Sequence, residues 1–223
     1  MAEVIGKCEP TTLGGLDEVG MGPLAGPVVV VVAVFTEKDA PVDGLDDSKK
    51  LTESRRENLF PLIVDAAHDI GWGWVEAADI DHLGIRDAWV EAVHQALAML
   101  DERPAWLTVD GTQQQLGART RLDVFGGGMV IDMHAKADMD TWQVSAASIV
   151  AKVIRDRHMR ELHDDHPEYG WDTNKGYGTP AHLRALKQHG LTLENRKTFC
   201  EGKKLKKRLA TMKVRRPGTG RRL

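Results

Sequence analysis

Four carboxylates in the 223-residue chain stand where a sheet-based domain would change direction. Asp17 and Glu18 open the glycine-rich stretch "GLDEVGMGPLAG", Asp110 closes "LTVDG", and Asp138 sits in "KADMD". Strand and helix ends converge on one rim of such a domain, so acids remote in sequence can share a cleft there. At neutral pH the four would repel one another, and a common site becomes tolerable when divalent cations supply the opposing charge. Hard oxygen donors with no His or Cys set beside them suit magnesium or manganese better than zinc. Taken singly, each acid also fits a solvated loop, and Asp138 fits a helix N-cap.

The elements that would hold these acids follow from periodicity and punctuation. Gly14 to Phe35 reads as two strands joined by "GMGPLAG", and the unbroken apolar run of the second suits a strand covered on both faces. "LTESRRENLFPLIVDAAHDIG" reads as a helix with Thr52 as N-cap and a kink at Pro61, followed by a strand over "GWGWVEA". From Ile85 to Leu100 apolar residues recur every three or four positions, which predicts a one-sided helix ended by Pro104. "AWLTVDG" and the segment from Met129 to His134 read as strands, and the chain from Met139 to Asp164 as a long helix. Alternating strands and helices predict an α/β domain with a mixed sheet.

On the long helix, Asp138, Thr141, Ser145, Ser148, Lys152 and Arg155 follow at spacings of three and four, which predicts one polar stripe if the helix starts by Asp138. Two uses fit such a stripe: a solvent face, or a seat for a phosphate backbone.

The net charge of -3 hides an asymmetry. Residues 201–223 carry +9, and residues 1–200 carry -12. A basic tail on an acidic body suits either nucleic-acid affinity or a solvated extension. Two domains of unequal kind are therefore expected, a folded body over 1–200 and a disordered basic tail over 201–223. Cys8 and Cys200 have no metal-type spacing. The N-terminus lacks the apolar core of a secretory signal, and Val28 to Phe35 is far shorter than the roughly 20 residues of a membrane helix. The expectation is a cytoplasmic, monomeric protein with no membrane partner.

"GLDEVGMGPLAGPVVV", "DDSKKL", "VDG", "KAD", "VSAASIVAKVIRDRHM" and "NKGYGTPAHL" occur in the order and spacing of ribonuclease HII, which this chain resembles from about residue 14 to 199. The resemblance implies a ribonuclease H-like fold with a central mixed sheet flanked by helices, a C-terminal helical segment and the basic tail. It implies an endonuclease that cuts the RNA strand of RNA–DNA hybrids and nicks 5′ of a ribonucleotide embedded in duplex DNA. Asp17, Glu18, Asp110 and Asp138 match the family's catalytic and metal-binding acids, which hold two Mg²⁺ or Mn²⁺ ions. The turn Gly20-Met21-Gly22 matches the backbone that meets the ribonucleotide, and Tyr177 the ring that packs on the next sugar. Lys49, Ser145, Ser148, Lys152 and Arg155 are the further substrate contacts expected. Met21 departs from the family, which usually carries Arg or Lys there, so one cationic contact is expected to be missing. "ENRKTF" departs as well, and leaves Arg196 and Phe199 as the matching positions. No sliding-clamp motif is evident in the tail. Two alternatives stay open: a ribonuclease HIII-like enzyme without junction preference, and a noncatalytic hybrid-binding protein.

Overall fold

The computed structural model describes residues 11–46, 48–111, 128–137, 141–202, 207, 210 and 211. Cys8 and nearly all of the basic tail lie outside them. Strand β1 (Thr12–Val19) pairs antiparallel with β2 (Val28–Thr36), and β2 pairs antiparallel with β3 (Asp69–Val75). On the other side β4 (Trp106–Asp110) runs parallel to β1, and β5 (Val130–His134) parallel to β4. The spatial order is β3-β2-β1-β4-β5, a mixed sheet.

The apolar run of β2 is explained by its central position. Val28, Val30, Val32 and Val34 enter one core cluster, and Val29, Val31, Ala33 and Phe35 enter another on the opposite face. Helix α1 (Glu53–Ala66) covers the second face, its N-terminus capped by Thr52 Oγ1, which accepts the Arg55 N–H at 3.2 Å. The helix continues through Pro61 and ends sooner than its sequence suggests. The His68 N–H bonds to the Val34 carbonyl at 2.8 Å, so pairing with β2 claims residues 69–71 for β3. Beyond Val75 the expected strand gives way to α2 (Ala77–Leu83); Gly84, at φ +83°, then turns the chain into α3 (Ile85–Met99).

Helix α3 presses its backbone onto β3. A Cβ at Gly73 would stand 1.7 Å from the Ala92 carbonyl oxygen, and one at Gly71 would stand 2.0 Å from that of Ala96. Neither carbonyl can retreat without unseating the helix. Gly73→Ala is therefore expected to destabilise the protein by about 3 kcal/mol, read as a lower urea midpoint at unchanged m-value.

Helix α4 (Trp142–Asp165) packs against the other face, where a Cβ at Gly15 would lie 2.2 Å from the Gln143 backbone. Every residue from Gln143 to Ala151 is buried, so the first half of the expected polar stripe is enclosed and is not a solvent face. The chain closes with a 3-10 turn (Pro167–Tyr169), α5 (Trp171–Asn174), α6 (Pro180–His189) and α7 (Lys197–Cys200). These build a third core cluster around Trp171, Tyr169 and Met159 that reaches Ala25. Among the described residues no helix is long and apolar enough to cross a membrane.

Candidate active site

Asp17 and Glu18 lie near the C-terminal end of β1 and Asp110 ends β4, the parallel neighbour whose Val109 sits opposite Leu16. Strand alternation sends Asp17 toward α4, where Ser148 hydrogen-bonds it, and Glu18 toward α3, where Trp89 Nε1 donates to Oε2 at 3.3 Å. The Glu18 N–H donates to Asp17 Oδ1 at 2.8 Å, and the Ala137 N–H to Asp110 Oδ1 at 2.9 Å. All three carboxylates line one cleft of about 210 Å³. Asp138 lies outside the described residues, so its expected place in the cleft is not assigned.

The cleft holds more negative charge than it can solvate. Burial, reinforced by the charge of Asp110, pushes the Asp17 carboxyl up to about 6 against the opposing Ser148 and Glu18 hydrogen bonds. Burial and then the charge of Asp17 push Glu18 up to about 8. The Lys49 ammonium favours ionisation of both without offsetting that cost. Oxygen-only donors that are reluctant to ionise alone fit a hard divalent cation, which would supply the missing charge.

Gly20, Met21 and Gly22 form another wall, joined by Lys49, Ser148, Lys152 and Tyr177 and by Ser48. Gly20 adopts φ +95°, and a Cβ there would fall 2.5 Å from the Pro27 carbonyl oxygen. Met21 lines the cleft while packing against the core cluster built on α3. Tyr177 stands on the rim, 42% exposed, 3.8 Å from where a Cβ on Gly22 would be.

Two expected substrate contacts are placed elsewhere. Arg155 is fully buried: its Nε, Nη1 and Nη2 donate to the carbonyls of Pro27, Lys175 and Ala25 at 2.9, 3.0 and 3.0 Å. Its guanidinium bolts the glycine turn to the segment carrying Tyr177 and, with no exposed surface and no place in the cleft lining, does not reach a phosphate. Ser145 is buried on α4 and does not line the cleft. The helical stripe is also shorter than expected, because Thr141 is the N-cap and α4 begins at Trp142.

Several residues around the cleft are given no role by the sequence. Ser48 Oγ lies 2.7 Å from Ser148 Oγ. Arg56 Nη1 donates to the carbonyls of Ser48 and Leu51 at 2.8 and 2.5 Å, and its Nη2 is 3.7 Å from Asp156, which in turn accepts Lys152 Nζ at 2.6 Å. Only the four-residue interval between Lys152 and Asp156 hints at this in the sequence. Arg196 donates through Nε and Nη2 to the Gly26 carbonyl, so a second buried guanidinium supports the same turn.

Residues 14–201 match the family described as Ribonuclease HII. A Ribonuclease HII of Geobacillus thermodenitrificans is 43% identical over 188 residues, covering 84% of this chain and 68% of that protein. One from Wolbachia pipientis is 41% identical, covering 84% of this chain and 90% of that protein. Among solved structures, the ribonuclease H2 of Pyrococcus horikoshii superposes with a TM-score of 0.72 at 30% identity, covering 91% of this chain and all of that one.

Proposed function

The chain belongs to the ribonuclease HII family, with its ribonuclease H-like fold, and from that premise we propose that it nicks duplex DNA on the 5′ side of a single embedded ribonucleotide and cuts the RNA strand of RNA–DNA hybrids. As a member it is a metal-dependent nuclease that hydrolyses phosphodiester bonds. What supports this activity is the meeting, in one cleft, of three carboxylates, the Gly20–Gly22 turn and the ring of Tyr177. Products would carry 3′-hydroxyl and 5′-phosphate ends.

Asp17, Glu18 and Asp110, with Asp138 as the fourth, would hold two Mg²⁺ or Mn²⁺ ions. Bound there, the ions supply the charge that lowers the pKa of the attacking water and stabilises the leaving oxygen. The chain's own groups set the geometry. Ser148 and the Glu18 N–H orient Asp17, Trp89 orients Glu18, and the Ala137 N–H orients Asp110. The Gly20–Gly22 turn lets main-chain groups approach a ribose 2′-hydroxyl, the group by which RNA differs from DNA. Tyr177 would pack on the sugar of the following nucleotide, and Lys49 and Lys152 would neutralise phosphates, Lys152 being held by Asp156. The basic tail would add nonspecific duplex affinity.

The decisive experiment is cleavage of a duplex carrying one ribonucleotide, with Mg²⁺ or Mn²⁺. A nick immediately 5′ of that residue is expected. Cleavage confined to long RNA tracts would replace this reading with the HIII-like one, and binding without turnover would replace it with a noncatalytic one.

Met21 supplies a second test. Met21→Arg is expected to tighten hybrid binding and to steepen the plot of log K against log salt by about 0.9, the signature of one additional phosphate contact. An unchanged slope would show that the side chain at this position does not reach the backbone.

A further inference from the structure

Glu76, His158 and Glu194 are brought together from three separate elements, each offering one ligand atom, with these atoms all within 4.8 Å of one another. Glu76 stands between β3 and α2, His158 lies on α4, and Glu194 lies in the segment between α6 and α7. None of them belongs to the acid cleft.

The surroundings of the three leave donor atoms unengaged. His158 Nε2 is buried and has no hydrogen-bond partner. The other ring nitrogen, Nδ1, lies 3.7 Å from Glu161 Oε2, a carboxylate suited to keep the proton on Nδ1 and leave the Nε2 lone pair free. Trp74 Nε1 donates to Glu76 Oε1 at 2.6 Å, which orients that carboxylate and leaves its second oxygen available. Glu76 occupies an N-cap position but makes no capping hydrogen bond with its side chain. Among the described residues, neither Glu76 nor Glu194 has an ion-pair partner. Two carboxylates without an ion-pair partner, gathered within 4.8 Å of an imidazole nitrogen, form a donor set that a cation would complete.

We infer that Glu76, His158 and Glu194 form a second metal site, distinct from the acid cleft, that takes a zinc-class divalent ion. An imidazole ligand disfavours Mg²⁺, which prefers oxygen donors in a near-ideal octahedron, and favours Zn²⁺ or Co²⁺ with a water as fourth ligand. Tetrahedral bonds of about 2.0–2.1 Å require neighbouring donors roughly 3.4 Å apart, so the ligands must draw inward on binding. Exposed Glu76 and half-buried Glu194 would make that movement with their side chains. The ion would tie the end of β3 to α4 and to the segment whose Glu194 carbonyl accepts the Gly26 N–H at 2.9 Å. It would therefore brace the support of the Gly20–Gly22 turn from outside the cleft, and its role would be structural.

The test uses the full chain with Asp17→Asn and Asp110→Asn, so that ions in the acid cleft do not contribute. Titration with Co²⁺ should give one equivalent bound, with the visible absorption of a low-coordinate site, displaced by Zn²⁺ and not by Mg²⁺. Saturating Zn²⁺ should raise Tm by about 5–10 °C. His158→Gln and, separately, Glu194→Gln in the same background should each weaken Co²⁺ binding at least tenfold and abolish the rise in Tm. Absence of bound Co²⁺ in the parent, or binding that survives both substitutions, would overturn the assignment. Neither outcome bears on cleavage by the acid cleft, which has its own assay.

Discussion

Asp17→Asn is expected to lower cleavage by roughly three to four orders of magnitude while making the metal-free protein more stable at pH 8. The two effects share one cause. Burial raises the Asp17 carboxyl from its ordinary 3.8 to about 6 and Glu18 from 4.5 to about 8, so between about pH 4 and pH 8 the folded protein binds more protons than the unfolded chain. Stability contributed by these groups is then fully present below about pH 4 and declines as pH rises, through about 6 for Asp17 and about 8 for Glu18. The cost of ionising Asp17 in the empty cleft is on the order of 3 kcal/mol, and an uncharged amide avoids it.

Thermal melts in EDTA at pH 5 and pH 8 provide the check. The parent should lose more stability than Asp17→Asn between the two pH values. Adding Mg²⁺ should restore the parent at pH 8 far more than at pH 5 and should do little for the variant. Identical pH dependence in the two proteins would show that the cleft carries no electrostatic strain.

Arg155→Met is expected to destabilise the protein by about 4 kcal/mol, and Arg155→Lys nearly as much. The guanidinium serves three carbonyls from two segments, those of Ala25, Pro27 and Lys175, in a fully buried setting. Removing it leaves three buried acceptors unpaired, each costing about 1–3 kcal/mol before relaxation, and lysine cannot reproduce the planar fork. Burial lowers the guanidinium pKa to about 10, against the opposing pull of Tyr177 and Asp156.

The same substitution should blur recognition. The bonds that Arg155 makes hold the glycine turn against the segment of Tyr177, together with the Leu24 N–H to Gly176 carbonyl bond at 2.8 Å. At low temperature, where Arg155→Met remains folded, the preference for a single ribonucleotide over a long RNA tract should fall, chiefly through KM. Urea denaturation and paired cleavage assays measure the two effects separately. Unaltered preference together with lost stability would confine Arg155 to the fold.

The Glu76–His158–Glu194 assignment illustrates the distance at which local patterns stop informing. Nothing in "WVEAAD", "RDRHMRE" or "LTLENR" marks a ligand set, since each residue alone fits an ordinary solvated position. Only the packing of α4 against the sheet, and of the segment between α6 and α7 against Gly26, sets them side by side. The same holds for the pair Arg56 and Asp156, whose direct contact at 3.7 Å joins residues about a hundred apart in the chain.

Short-range chemistry was readable without coordinates. The apolar run of β2 suited burial on both faces, the one-sided pattern of α3 called for a neighbour, and acids at element ends could share a rim, which Asp17, Glu18 and Asp110 do. What the tertiary structure alone decided is which polar residues face that rim. A spacing of three and four gives a side chain's bearing around its own helix axis and says nothing of what lies beyond. For Ser148 and Lys152 that was the cleft; for Arg155, one turn further along α4, it was a set of backbone carbonyls, and a residue expected to meet phosphate became one that holds the turn in place.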